Sequence, residues 1–317
     1  MLTKRRCLFA VVSLSLAWAH PGAGARAEEV VRIGWLRAPN DLTLAKAHGS
    51  LEKALAEKGA RVTWAGPFAA AAPAFEALNA DSIDITAGSS TSVITALAAN
   101  MPVVVFAYQK MSAGAEGILV KKGSPITTLE QLEGKSVAVN RGGTGEYLLV
   151  RALQASHIDP DKVNRVFLTP ADSSPAFLQG HVDAWATWDP FVAIARSFYD
   201  GRVLADGTAI GSDNAVVIVA SRAFTDQKRE LLQTVFDVIE AENAWALEHK
   251  AEAGAIWTKE MNLPAELAGE IGENNAVPTH AVTPADVEQI ERIADWCFAA
   301  KIVPRKPDVA AGVVLLK

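Results

Sequence analysis

The chain is short of cysteine, of aromatic residues and of positive charge, and it has none of the common catalytic signatures. Two cysteines in 317 residues, Cys7 and Cys297, are too few for a disulfide framework or a thiolate metal site. Aromatic residues make up 7% and the formal net charge is −6, which excludes the clustered Lys and Arg of a nucleic-acid groove. There is no G-x-x-x-x-G-K-S/T phosphate loop and no G-x-S-x-G nucleophile elbow. Gly143-Thr144-Gly145 opens like a dinucleotide fingerprint, but Leu148 stands where the third glycine belongs. His48, His157, His181, His249 and His280 show no H-x-x-x-H spacing. No catalytic residue, metal ligand or cofactor is therefore assigned. Half the residues are apolar and 21% are charged, the balance of a folded chain long enough for one large or two medium domains.

The first 27 residues read as a secretory signal peptide. Lys4, Arg5 and Arg6 form a positive start, Leu8 to Ala19 an apolar run, and Ala25-Arg26-Ala27 an A-x-A cleavage pattern. The apolar run falls well short of the roughly 20 residues a bilayer span requires. Export to the periplasm, with cleavage after about Ala27, is the expectation. Removal takes away four basic residues and no acid, so the remaining chain carries a net charge of −10. It also leaves Cys297 as the sole thiol, beside Trp296 and Phe298 in a predicted helix, an apolar setting that suits core packing.

Beyond Ala27, short β-branched runs alternate with longer amphipathic ones. Strands are predicted at Val30 to Trp35, Arg61 to Trp64, Ile83 to Thr86 and Val103 to Ala107, the last as a buried parallel strand. One helix is predicted over Leu42 to Lys58, one around Phe75 to Leu78 and one over Val93 to Ala99. The pattern restarts with strands at Ser136 to Asn140, Val163 to Leu168 and Ala184 to Trp188, and helices at Glu146 to Ala155 and around Ala176 to Leu178. Two such βαβ series imply two α/β lobes with mostly parallel sheets, joined by crossovers near Tyr108 to Gly117 and Ala205 to Ala215. From about Asp226 the pattern is helical, and Thr283-Pro284 marks a capped helix start.

The chemistry on offer lies in small polar turns at strand-to-helix junctions. Helix N-termini present unpaired N–H groups and partial positive charge, so they bind anions without Lys or Arg. Gly88-Ser89-Ser90-Thr91 and Arg141-Gly142-Gly143-Thr144-Gly145 are two such turns, one in each series. Both are also ordinary caps of the kind every α/β protein carries. Trp185 and Trp188 differ by three positions in a strand and so face opposite sides, one toward the core and one toward a cleft. Asp189-Pro190 reads as a cap followed by a first helical residue, and Arg37 in Arg37-Ala38-Pro39-Asn40 as a group able to meet an anion. Gly143→Asp is expected to abolish anion binding with the fold retained.

Several stretches resemble the aliphatic-sulfonate substrate-binding proteins of ABC importers, in the group that includes taurine and nitrate binders. They include Leu51-Glu52-Lys53, Phe75-Glu76-Ala77-Leu78, Tyr147 to Leu153, Phe167 to Asp172, Val182 to Trp185, Trp188 to Phe191 and Arg202 to Gly207. The resemblance implies a type II periplasmic-binding-protein fold, α/β, with two lobes closing on one ligand. Lobe 1 would be residues 28–108 plus 212–317, and lobe 2 residues 109–211. It implies a non-enzymatic, monomeric component that captures a sulfonate and hands it to a membrane permease served by a separate ATPase. Carried over, the ligand loops fall at Arg37 and Asn40, Ser89 to Thr91 (Ser89, Ser90, Thr91), Gly142 to Thr144 (Gly142, Gly143, Thr144), Trp188 and Asn214. Taurine, nitrate, bicarbonate or a thiamine-precursor pyrimidine are the alternative ligands on this fold, and a cysteine-dependent desulfinase the alternative enzyme. A ligand sensor signalling to a membrane partner is a third reading.

Overall fold

Residues 28–316 are described by a computed structural model; the export segment read at residues 1–27 lies outside them. Among the described residues, eleven strands form two sheets: β1 (Glu29–Leu36), β2 (Ala60–Phe68), β3 (Ile85–Ser89), β4 (Val103–Lys110), β5 (Glu116–Lys121), β6 (Ser136–Val139), β7 (Asn164–Phe167), β8 (Ala184–Trp188), β9 (Gly201–Asp206), β10 (Ala215–Ser221) and β11 (Thr279–Ala281). One sheet has the order β11-β4-β10-β3-β1-β2 and the other β7-β6-β8-β5-β9. The chain thus builds four strands of the first sheet, crosses to build all of the second, and returns through β10.

Both sheets are mixed, which corrects the mostly parallel reading. β1 pairs in parallel with β2 and β3, and β6 with β7 and β8. β10 lies antiparallel between β3 and β4, and β5 antiparallel between β8 and β9. These are the strands on which the chain enters a sheet from the other lobe, so they run against the βαβ strands beside them. Val103 to Ala107 is buried as expected, but its ladder partners β10 and β11 are antiparallel. Periodicity reports burial on both faces and carries no direction.

Other differences have local causes. The helix predicted over Leu42 to Lys58 is two, Asp41–His48 and Ser50–Ala56, broken where Gly49 adopts a left-handed φ of 67°. The third strand starts at Ile85 instead of Ile83, so Gly88 and Ser89 belong to it and the following helix, Ser90–Ala98, begins earlier than predicted. The predicted crossovers contain the ends of β4 and β9 and the starts of β5 and β10, leaving short connections around 111–115 and 207–214. The chain beyond about Asp226 is largely helical as expected, with helices at Arg229–Glu248, Lys250–Glu260 and Pro284–Ala299, and the expected start at Thr283-Pro284 carries a complete Thr283–Asp286 capping box. β11, a three-residue strand among them, was not legible. No helix among the described residues is long and apolar enough to cross a membrane.

Candidate functional site

A cavity of about 640 Å³ lies where both sheets present the carboxyl ends of their parallel strands. Asn40, Ser89 and Ala70–Ala71 line it from the first sheet's side, and Gly142, Thr144, Thr169, Pro170 and Trp188 from the second's. The starts of four helices therefore reach it: Asp41–His48, Ala71–Asn79, Ser90–Ala98 and Thr144–Ala155, with Pro170–Leu178 as a fifth. They differ in what already occupies them. Asp41 sits buried at the first, held by Thr279 Oγ1 at 2.7 Å and Asn243, with burial pushing its carboxyl up to about 6. The helices at Ala71 and Ser90 have no acidic residue in their first turns, and Ala70 supplies no side-chain cap. At Thr144–Ala155, Glu146 is turned away, accepting from Gly142 N–H at 2.7 Å and pairing with Arg165 at 3.2 Å. An anion entering the cavity thus meets, at Ala71 and Ser90, helix ends whose dipoles are not already offset by an acidic first turn.

Five of the ten predicted residues line this cavity: Asn40, Ser89, Gly142, Thr144 and Trp188. Asn40 caps the Asp41 helix through Thr43 N–H, and Ser89 Oγ caps the Ser90 helix through Ser92 N–H. Trp188 is half-buried and stands edge-on to Phe191, whereas Trp185 is buried against Phe177, so the two tryptophans divide as their spacing predicts. The other five do not line it. Arg37 is exposed and donates to the Met261 carbonyl at 3.0 Å. Ser90 and Thr91 are buried, Thr91 Oγ1 sharing a hydrogen bond with Ser89 Oγ. Gly143 lies behind the turn, where an added Cβ would fall 1.9 Å from Asn140 Nδ2. Asn140 Oδ1 accepts from Gly145 N–H, so Gly143→Asp would unseat the turn itself and cannot report on charge alone.

Asn214 is fully buried and joins the two sides. Its Oδ1 accepts from Ser90 Oγ at 2.9 Å, and its Nδ2 donates to Thr144 Oγ1 at 3.0 Å and to Glu116 at 3.3 Å. A second link crosses the mouth, where Thr95 Oγ1 donates to the Gly142 carbonyl at 2.7 Å. Gly142 has φ of +62°, and a Cβ there would meet Thr95 Oγ1 at 2.7 Å, so glycine is required on both counts. Asp189 forms a third link: its Oδ2 accepts from Asn274 and Asn275 Nδ2 at 3.0 and 3.1 Å, and burial pushes it up to about 6. Its helix is Phe191–Phe198, with Pro190 in the cap position, so Asp189 is not the simple N-cap expected, although its Oδ1 accepts from Ala193 N–H.

Sequence reasoning missed much of the apolar lining: Ala69 to Pro73, Met101, Met111 and Leu168. Small aliphatic residues carry no chemical signal, though Leu168-Thr169-Pro170 is a strand-to-helix turn like the two singled out. Among the described lining residues Arg141 is the sole basic one, its guanidinium 3.6 Å over the Phe167 ring. Cys297, on which the desulfinase alternative depends, is buried in the helix Pro284–Ala299 and outside this lining; burial pushes its thiol up to about 12.

Two α/β lobes around one cavity, with crossing strands that return between them, define a periplasmic-binding-protein fold. The chain belongs to the NMT1/THI5-like family, whose model matches residues 56–253. A relative from Escherichia coli (strain K12), named as an aliphatic sulfonates-binding protein, is 32% identical over 282 residues, 89% of this chain and 87% of its own. The crystal structure of the periplasmic aliphatic sulphonate-binding protein SsuA from Escherichia coli superposes with a TM-score of 0.80 at 31% identity, over 91% of this chain and 94% of that one. The alkanesulfonate-binding protein SsuA from Xanthomonas axonopodis pv. citri, bound to MOPS, gives 0.83 at 26% identity, over 90% and 98%.

Proposed function

We propose that this chain is the exported solute-binding component of an ABC importer and captures an aliphatic sulfonate in the interlobe cavity. The observation that carries the reading is a cavity whose helix starts at Ala71 and Ser90 are free of acidic residues, next to a lining that is otherwise largely apolar. A sulfonate stays anionic at any physiological pH and suits helix ends and hydroxyls as donors. Ser89, Gly142 and Thr144 would hold the head group, with Arg141 at the rim, and Trp188, Met101 and Leu168 would cover the tail. The lobes are residues 28–108 plus 212–317 and residues 109–211, released from a signal peptide cut after about Ala27. The monomer delivers its ligand to a membrane permease whose ATPase is a separate subunit.

Closure supplies the selectivity. Each lobe offers only part of the anion's shell, so the bound state is favoured when the Ser90 helix start of one lobe and the Thr144 helix start of the other meet one ligand. The Thr95–Gly142 and Asp189–Asn274 links are the contacts that hold the lobes together around it. Calorimetric titration with methane-, butane- and hexanesulfonate, taurine, sulfate and nitrate tests the assignment. Saturable binding of the alkanesulfonates, tighter than that of sulfate or nitrate, is expected. Failure of every sulfonate to bind would remove the reading.

A further inference from the structure

Glu116 is the buried ionisable group that the site does not explain. It opens β5, is 1% exposed, and accepts from Asn214 Nδ2 at 3.3 Å. Its other oxygen, Oε1, is buried and makes no hydrogen bond. No cation acts on it among the described residues. Asp206, at the end of the adjacent strand β9, adds repulsion, and only Ser212 and Asn214 favour its charged form. The remaining groups on neighbouring elements do not compensate. On the helix Thr144–Ala155, Tyr147 is neutral, Glu146 is committed to Gly142 N–H and Arg165, and Arg151 lies over the Tyr147 and Trp296 rings. Asp213, in the crossover, acts on Tyr147. Asp189, one residue past Glu116's cross-strand partner Trp188, is bound by Asn274 and Asn275. A carboxylate buried with no cation, one oxygen without a hydrogen bond and the other held by a single long one is held far more easily as the neutral acid, and here burial pushes it up to about 7.

The same Asn214 amide group that touches Glu116 also donates to Thr144 Oγ1, which lines the cavity. Because that hydroxyl accepts from Asn214, its own proton is left to donate into the cavity. Two hydrogen bonds therefore separate the Glu116 carboxyl from the Thr144 hydroxyl, and a third separates it from any anion held at the Thr144 helix start. An ionised Glu116 and a bound anion would be like charges in a water-poor interior, with Asp206 nearby as a third.

We propose that Glu116 must carry a proton for the cavity to hold an anion, with Asn214 as the positioning residue between them, so that capturing a sulfonate near neutral pH takes up one proton. The proton comes from solvent, and the single covalent change is formation of the Glu116 O–H bond. This rests on the sulfonate reading above and adds a coupling to it: affinity falls as pH rises through the neutral range, although the ligand itself does not titrate there.

The test is calorimetric titration of the purified protein with hexanesulfonate at pH 8 in phosphate and in Tris, which differ in ionisation enthalpy. The expected result is a buffer-dependent heat corresponding to uptake of close to one proton, and affinity about thirtyfold weaker at pH 8.5 than at pH 6. Glu116→Gln keeps a neutral side chain of the same shape; it should bind hexanesulfonate with the same affinity across that range and take up no proton. Binding by the unaltered protein without proton uptake would overturn this inference and leave the sulfonate reading standing. Persistence of the pH dependence in Glu116→Gln would overturn it too. Should Glu116→Gln fail to fold, the two-buffer measurement on the unaltered protein decides alone. No binding of any sulfonate at any pH would overturn both.

Discussion

Trp188 and Asn214 were named for the same role, and the structure separates them. Trp188 ends β8 half-buried, with part of its ring in the cavity lining, the placement its offset from Trp185 requires. Its contribution is to the ligand's tail. Trp188→Ala should weaken hexanesulfonate binding roughly tenfold, from apolar contact worth about 1–2 kcal/mol, and methanesulfonate binding much less. Equal losses for the two in titration would mean that the ring contacts the head group. Asn214 instead spends its amide on Ser90, Thr144 and Glu116, partners 124, 70 and 98 residues away. A polar residue in a crossover looks the same in sequence whether it faces a ligand or another side chain. Only the approach of the two lobes decides which.

Helix positions and ends were mostly readable because caps and periodicity are local. Thr283-Pro284 and the span of Arg229–Glu248 follow from a few adjacent residues. How helices press on one another is less readable. Lys250–Glu260 and Ala268–Asn275 cross so closely that a Cβ on Gly254 would lie 1.9 Å from the Ala268 carbonyl oxygen. Gly to Ala inside a helix ordinarily stabilises by up to about 1 kcal/mol. Here the clash is with backbone, which cannot rotate aside, so Gly254→Ala should destabilise by about 1–3 kcal/mol and lower the melting temperature. A melting temperature at or above that of the unaltered protein would show that the crossing can open. The helix pair braces the site: Ala268–Asn275 brings Asn274 and Asn275 to Asp189, and Trp257 on its partner donates to the Asn40 carbonyl at 2.9 Å.

Three buried carboxyls shape the pH response of the molecule as a whole. Asp41 and Asp189 are pushed up to about 6 and Glu116 to about 7, in each case chiefly by burial. In the unfolded chain these groups ionise near 4, so at intermediate pH the folded state binds more protons. Their contribution to stability is therefore greatest below pH 4 and is lost as pH rises to about 7, on the order of 3 kcal/mol for each group. The melting temperature should be several degrees higher at pH 5 than at pH 8, by calorimetry or circular dichroism. A higher value at pH 8 would show that the three ionise in the folded protein as readily as in the unfolded chain. The acidic composition itself offers nothing to attract an anion over distance, so recognition falls to local dipoles inside the cavity.

What the sequence determined by itself was the set of locally encoded features. These are the strand-to-helix turns that end up around the cavity, the opposed tryptophans of β8, and the buried thiol of the C-terminal helix. Each depends on residues within a few positions of one another, where backbone period and capping chemistry act. The tertiary structure alone decided the direction of β10 and β5, the exclusion of Arg37 from the cavity, the service of Asn214 to both lobes and the isolation of Glu116. Those depend on groups brought together from far along the chain, and burial and charge in a folded interior are set by such neighbours.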